Sequence, residues 1–295
     1  MIIVIVGPTG IGKTKLSIAL AKKYNTEIIS GDSVQVYKGL DIGSAKITEK
    51  EKAGIKHHLL DILEPHEDFS VAVFQKLVRE KIAEINAKGL MPIIVGGTGF
   101  YIKSVLYDYN FDNANRNPKL ETMYKDFSNE ELHKVLIEKD YESSLKIHPN
   151  NRKRVLQAIS RSEQNKMSEN KNKDVPLYDF KVIGLTMERE KLYKLINKRV
   201  DKMLSQGLLN EVKTLLYQGV RPIDLEGIGY KEIAKYLAGE WEYDYAVDKI
   251  KQHSRNLAKR QYTFFNNQFD VNWLQVNPRY FNKTIEEAIE IIEKD

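Results

Sequence analysis

The chain has 295 residues, 42% hydrophobic and 29% charged, with a net charge of +5. That suits one elaborated domain or two with a real core, and the mildly basic balance admits an acidic partner without demanding one. It contains no cysteine, which excludes disulfides and thiolate zinc sites; it has no apolar run of about 18 residues, so no membrane span is expected and a cytoplasmic location is.

The first strand is expected at Met1–Val6, a continuous β-branched run that breaks into Gly7-Pro8-Thr9-Gly10-Ile11-Gly12-Lys13-Thr14. A buried parallel strand reads this way, and the segment Gly7–Thr14 matches the phosphate-cradling pattern G-x-x-x-x-G-K-[ST]. The glycines let several N–H groups point into one concavity, and the next helix adds its positive dipole end. Lys13 brings a point charge to the phosphates, and the Thr14 hydroxyl can reach a bridging Mg²⁺. Gly7 to Thr14 are therefore the expected diphosphate site.

A helix is expected from Thr14 to Tyr24, and a second strand at Glu27–Ser30, ending at Gly31-Asp32-Ser33. His57–Ile62 reads as a third strand. Ser70 is a plausible N-cap for a helix from Val71 to about Lys88, closed by Gly89. Pro92–Val95 is another buried strand, followed by Gly96-Gly97-Thr98-Gly99. From about Phe111 to Val175 clear strand signals stop and the chain turns polar and helical. Residues 146–173 hold eight basic and two acidic residues, a net of +6 that exceeds the charge of the whole chain. Glu163–Lys173 is polar and of low complexity, read as a mobile loop. Strand character returns at Phe180–Leu185, helices follow at about 188–217, 230–238 and 246–263, and a late strand and helix are expected at 271–276 and 285–292. The expected fold is α/β: a P-loop doubly wound parallel sheet core, residues 1–110 and 178–295, with an inserted helical domain at 111–177.

Asp32, just past the second strand, lies where such sheets bind ligands and is the candidate general base or metal partner. The strand ending at Val95 is followed by glycines rather than the acidic residue that helps hold Mg²⁺ in P-loop hydrolases. That favours a diphosphate leaving group over a hydrolysable γ-phosphate. Thr98 is placed to bond a substrate or the Asp32 carboxylate.

These stretches carry a family resemblance. GPTGIGKT, GDSVQVYKGLDIGSAK, HHLLDILEP, PIIVGGTGFYIKSVL, IHPNNRKRVLQAI, INKRVDKMLSQGLLNEV, GIGYKEI and RNLAKRQYTFF occur in order over nearly the whole chain. Together they resemble the tRNA dimethylallyltransferases, in their compact bacterial form. The resemblance implies transfer of a dimethylallyl group from dimethylallyl diphosphate to the exocyclic amine of the adenosine on the 3′ side of the anticodon. It implies Lys13, Thr14, Mg²⁺ and Arg199 on the diphosphate, Asp32 as base, and Thr98 orienting the amine. It also implies tRNA contacts from Asp32, Ser33, Val34, Gln35 and Thr98, and from Gln157, Ala158, Ile159, Ser160 and Arg161. Two segments depart from the family pattern: Gln157-Ala158-Ile159-Ser160 stands for Arg-Ala-Leu-Glu, and Phe264-Phe265-Asn266 for Trp-Phe and a basic residue.

Lys251, Arg255 and Lys259 recur every four residues and share one helical face, which is expected to meet a phosphate backbone. With Lys146–Arg161 it is expected to grip the anticodon stem-loop from two sides. A monomer is expected. The alternatives are a small-molecule P-loop kinase, a prenyltransferase acting on free adenine nucleotides, and a non-enzymatic RNA-binding module. Adjacent His57 and His58 point apart on a strand and make no metal site.

Overall fold

The computed structural model describes residues 1–111, 118–163, 173–225 and 227–294. The chain divides into two compact units, one of residues 1–106 and 177–295 and the other of residues 107–176. Most of Glu163–Lys173, read from the sequence as a mobile loop, lies outside the described residues.

The first unit opens with β1 (Ile2–Val6), α1 (Lys13–Lys23), β2 (Ile28–Ser30), a short α2 (Glu49–Lys52) and β3 (His57–His58). It continues with α3 (Val71–Ala87), β4 (Ile93–Val95) and α4 (Gly99–Leu106). All five residues of β1 are buried, as a strand covered on both faces requires. The third strand is shorter than its apolar run suggests. Leu59 and Asp61 take positive φ, 61° and 54°, so the extended backbone cannot continue. Helix α3 starts where its cap was read: the Ser70 side chain accepts from Val73 N–H, and the chain leaves through Gly89 at φ 72°.

The second unit holds α5 (Pro118–Met123), α6 (Asn129–Lys139), α7 (Tyr141–Ser144) and α8 (Arg152–Glu163). Ser128 and Glu131 form a reciprocal capping box at α6. Leu132, Leu136, Val155, Ala158 and Ile159 pack with Leu120 and Tyr124 into this unit's own core.

The chain then returns to the first unit with β5 (Phe180–Thr186), α9 (Arg189–Ser205), α10 (Leu208–Tyr217), α11 (Tyr230–Leu237), α12 (Tyr243–Gln268), β6 (Asn272–Gln275) and α13 (Phe281–Glu293). The span read as 188–217 splits at Gly207, whose φ of 102° suits glycine. Helix α12 extends beyond the expected 246–263 at both ends, because no glycine or proline interrupts Tyr243–Gln268.

The six strands form one sheet in the order β3-β2-β4-β1-β5-β6, every neighbouring pair parallel. Ile3, Ile5, Leu16, Leu20, Ile28, Ile93, Ile183 and Leu185 form its buried core. Each such side chain contributes roughly 1.5–3 kcal/mol relative to exposure. Chain order places β2 and β3 beyond β4 on one side of β1, and β5 and β6 on the other. The loops after β1, β2 and β4 therefore leave the same sheet end at the point where strand order reverses, which is where such sheets bind ligands.

Candidate active site

The loop after β1 is shaped by its glycines. Gly7, Gly10 and Gly12 take φ of 137°, 79° and 109°, values that side chains rarely adopt. A Cβ on Gly7 would sit 2.7 Å from the Leu185 carbonyl oxygen, and one on Gly12 would sit 2.7 Å from the Phe281 ring. The loop is thus pressed between β5 and the start of α13. Pro8 is buried with Gly7, while Thr9 and Gly10 are half-exposed; Ile11 anchors the loop in the core.

Lys13 folds its ammonium back onto the loop, donating to the carbonyls of Gly7 at 2.8 Å and Pro8 at 2.9 Å. Desolvation lowers its pKa to about 7, the nearby Arg199 guanidinium adds to the fall, and the Asp32 carboxylate opposes it. Arg199 reaches the same loop from α9, its Cδ 3.6 Å from where a Cβ on Gly10 would stand. Burial lowers the Arg199 pKa and Asp32 again opposes the fall. Two cations therefore crowd one glycine-rich loop, with one carboxylate acting on both. Such an arrangement favours a multiply charged anion, which relieves the repulsion it meets. Thr14 is exposed at the first turn of α1, and its hydroxyl has no hydrogen-bond partner among the described residues.

Asp32 is half-buried after β2. Its Oδ1 accepts from Val34 N–H at 2.8 Å and Gln35 N–H at 3.4 Å, a local turn that fixes the carboxylate's direction. Oδ2 takes no hydrogen bond among the described residues. The aspartate thus serves twice: one oxygen caps the loop and the other is available for chemistry. Thr98 donates from Oγ1 to Ser33 Oγ at 3.4 Å, so its partner is Ser33 rather than the Asp32 carboxylate. Gln35 Nε2 donates to the carbonyls of Ser44 and Ala45 and so ties two loops together; Val34 is half-buried beside the α9–α11 cluster.

The glycines after β4 have a reason that the sequence did not reveal. A Cβ on Gly96 would lie 2.3 Å from the Gly31 carbonyl oxygen, one on Gly97 2.1 Å from Gln261 Nε2, and one on Gly99 2.2 Å from Phe264. The β2 loop and α12 both pack directly on this backbone. Gln261 Nε2 donates to the Gly97 carbonyl at 3.1 Å, while its buried Oε1 has no partner. Gln261 stood inside RNLAKRQYTFF without a role; the glycine spacing was the one signal for a helix pressed against that loop.

The basic stripe on α12 does not present a uniform face. Lys251 pairs with Asp201 of α9 at 2.6 Å, and Arg255 donates to Asn197 of α9 at 2.7 Å. Lys259 and Arg260 are exposed, and with Asn256, Thr263, Phe264 and Asn267 they line an open groove along the helix. The 157–161 segment divides in a similar way. Ala158, Ile159 and Ser160 are buried within the second unit, Gln157 is exposed, and the half-buried Arg161 donates to the Gln157 carbonyl at 3.2 Å. Helical periodicity turns three of the five residues inward, and Ala158 and Ile159 join the unit's core. His58 Nε2 lies 2.6 Å from a Glu27 carboxylate oxygen, and His57 Nδ1 lies 2.8 Å from the Ile55 carbonyl. No helix among the described residues is long and apolar enough to cross a membrane.

The sequence model of the IPP transferase family matches residues 35–268. A tRNA dimethylallyltransferase of Bacillus pumilus is 49% identical over 286 residues, covering 94% of this chain and 90% of that protein. That of Bacillus subtilis is 48% identical, covering 94% and 91%. Among solved structures, a tRNA delta(2)-isopentenylpyrophosphate transferase of Staphylococcus epidermidis superposes with a TM-score of 0.75 at 45% identity, covering 99% of this chain and 98% of that one. A eukaryotic dimethylallyltransferase acting on tRNA superposes with a TM-score of 0.84 at 28% identity, covering 98% and 77%.

Proposed function

The chain belongs to the IPP transferase family, and we propose that it transfers a dimethylallyl group from dimethylallyl diphosphate to the N6 amine of the adenosine 3′-adjacent to the anticodon in tRNA. The observation that carries this reading is the convergence of Lys13 and Arg199 on one glycine-lined loop, with the Asp32 carboxylate within their fields. In the reaction the amine nitrogen attacks the allylic carbon, and its C–O bond to diphosphate breaks. The electron pair leaves on the diphosphate oxygen, and the amine proton passes to Asp32. Lys13, Arg199 and the loop N–H groups hold the leaving charge as it develops, which is where electrostatic stabilisation contributes most. A base within reach helps because an aromatic amine is a weak nucleophile. The adenine must leave its stack to enter the site. The Thr98–Ser33 hydrogen bond and the contact of Gln35 N–H with Asp32 support reading these residues as neighbours of the acceptor.

The residues present fit a Mg²⁺ ion held largely by diphosphate oxygens and water. The described residues contain no group of three or more His, Asp or Glu arranged to hold a metal ion, while the unpartnered Thr14 hydroxyl stands ready as a protein contact, the usual economy of Mg²⁺ at phosphate sites. Bound there, the ion would neutralise the departing diphosphate. We place the enzyme in the cytoplasm with its tRNA substrate, acting as a monomer. The test is incubation with labelled dimethylallyl diphosphate and either total tRNA or AMP. Label is expected in the tRNA alone; label only in AMP would establish a nucleotide prenyltransferase instead.

A further inference from the structure

Glu211 lies on α10, and none of its hydrogen bonds goes to the P-loop. Its carboxylate accepts from Ile42 N–H at 3.0 and 2.8 Å, from Gly43 N–H at 3.1 Å and from the Tyr230 hydroxyl at 2.7 Å. The Tyr230 oxygen in turn accepts from Ser44 N–H at 3.2 Å. Three consecutive backbone donors thus point at one carboxylate–phenol pair. Tyr230 is fully buried, and a Cβ on Gly43 would meet its ring at 2.6 Å, so the turn sits directly on the phenol. Burial and the Glu211 charge push the Tyr230 pKa upward, which keeps it a donor.

Gln35 holds the same turn by its carbonyls. The Gln35 Nε2 donates to the Ser44 carbonyl at 3.3 Å and the Ala45 carbonyl at 3.5 Å, and Gln35 Oε1 accepts from Ser30 Oγ at 3.4 Å. Gln35 N–H also reaches Asp32 Oδ1 at 3.4 Å. Glu211 is therefore linked through the backbone of the Ile42–Ala45 turn to the Gln35 side chain, and the Gln35 backbone N–H meets Asp32. We propose that Glu211, with Tyr230, is a positioning residue that fixes this turn and thereby orients Gln35 beside Asp32 for the acceptor base. That the acceptor is RNA rests on the proposed function. The carboxylate suits this place, because the Ile42 and Gly43 N–H groups and the Tyr230 hydroxyl all donate to it; a carboxamide with its NH₂ group in the Oε2 position would meet the Ile42 N–H.

The experiment compares wild type, Glu211→Gln, Tyr230→Phe and Gln35→Ala. Glu211→Gln and Tyr230→Phe should each lower kcat/KM for an anticodon stem-loop RNA about 10- to 100-fold, chiefly through KM, and leave dimethylallyl diphosphate affinity without RNA unchanged. The ¹H–¹⁵N signal of the Gln35 side-chain amide should shift in both, and amide exchange at Ile42, Gly43 and Ser44 should accelerate. In the Gln35→Ala background Glu211→Gln should add less than about 2-fold, the signature of one coupled unit. An unmoved Gln35 signal, or losses that simply multiply with Gln35→Ala, would overturn the proposal. So would a fall in donor affinity in both variants, which would make Glu211 a residue of the fold at large. If wild type fails to alkylate RNA, the proposed function falls, while the Gln35 signal and the exchange rates still report on the turn.

Discussion

Asp32 uses one carboxylate oxygen to hold its own loop, and the other, which takes no hydrogen bond among the described residues, is where the proposed function puts the reacting amine. This division selects the informative variant. Asp32→Asn keeps an oxygen for the Val34 and Gln35 N–H groups but removes the base. It should cut single-turnover transfer by about 10²–10⁴-fold, with tRNA affinity nearly unchanged. Wild-type-like turnover would remove Asp32 from the reaction. Lys13 gives a prediction in pH. Without ligand its pKa lies at about 7, below the usual lysine value, because of desolvation and then Arg199. A diphosphate beside it restores a high pKa. Above about pH 7 the free enzyme has therefore lost a proton that the complex holds, so binding takes up a proton and weakens as pH rises. Calorimetry of dimethylallyl diphosphate binding from about pH 7 to about pH 9, in buffers of different ionisation enthalpy, should show that uptake. Lys13→Ala should abolish it along with most of the affinity, and pH-independent binding by wild type would contradict the assignment.

At the scale of the element, α12 has two differently engaged faces. Lys251 and Arg255 tie it to α9, whereas Lys259 and Arg260 face solvent along its groove. Neutralising Lys259 and Arg260 together should flatten the log–log salt dependence of tRNA affinity, by roughly 0.7–0.9 of a slope unit for each phosphate they neutralise. Lys251→Ala should leave the slope alone and cost at most about 1 kcal/mol of stability, the range of a partly exposed ion pair. A slope that changed with Lys251 and not with Lys259 and Arg260 would reverse the assignment. The inner face is tested by Gly97→Ala, whose added methyl has no room beside Gln261. Overpacking there should destabilise the protein by about 1–3 kcal/mol in denaturant unfolding and slow transfer by displacing Thr98.

At the scale of the molecule, residues 107–176 form a unit with a separate core. The chain leaves and re-enters the first unit at neighbouring points, since Leu177 N–H donates to the Leu106 carbonyl at 2.8 Å. Replacing 107–176 with a short Gly/Ser linker should therefore leave a folded core. That protein should bind dimethylallyl diphosphate normally and fail to alkylate tRNA. Retained transfer to tRNA would show that the second unit has no part in RNA recognition.

Local patterns alone determined the parallel α/β core, the P-loop and the place of Asp32. Buried β-branched runs, glycines at fixed spacing and one cap residue act over short stretches of chain, so they can be read in order. The family motifs added Arg199, which nothing local distinguishes from its neighbours on α9. Tertiary structure decided which periodic residues face outward: Lys251 and Arg255 lie against α9, and Ala158, Ile159 and Ser160 against their own core. It also decided why Gly96, Gly97 and Gly99 are glycines and what Glu211 holds. Each of these rests on contacts between segments far apart in sequence, such as Glu211 with Ile42 and Gln261 with Gly97. A helical repeat specifies that residues share a face, and only the packing of neighbouring elements determines what that face meets.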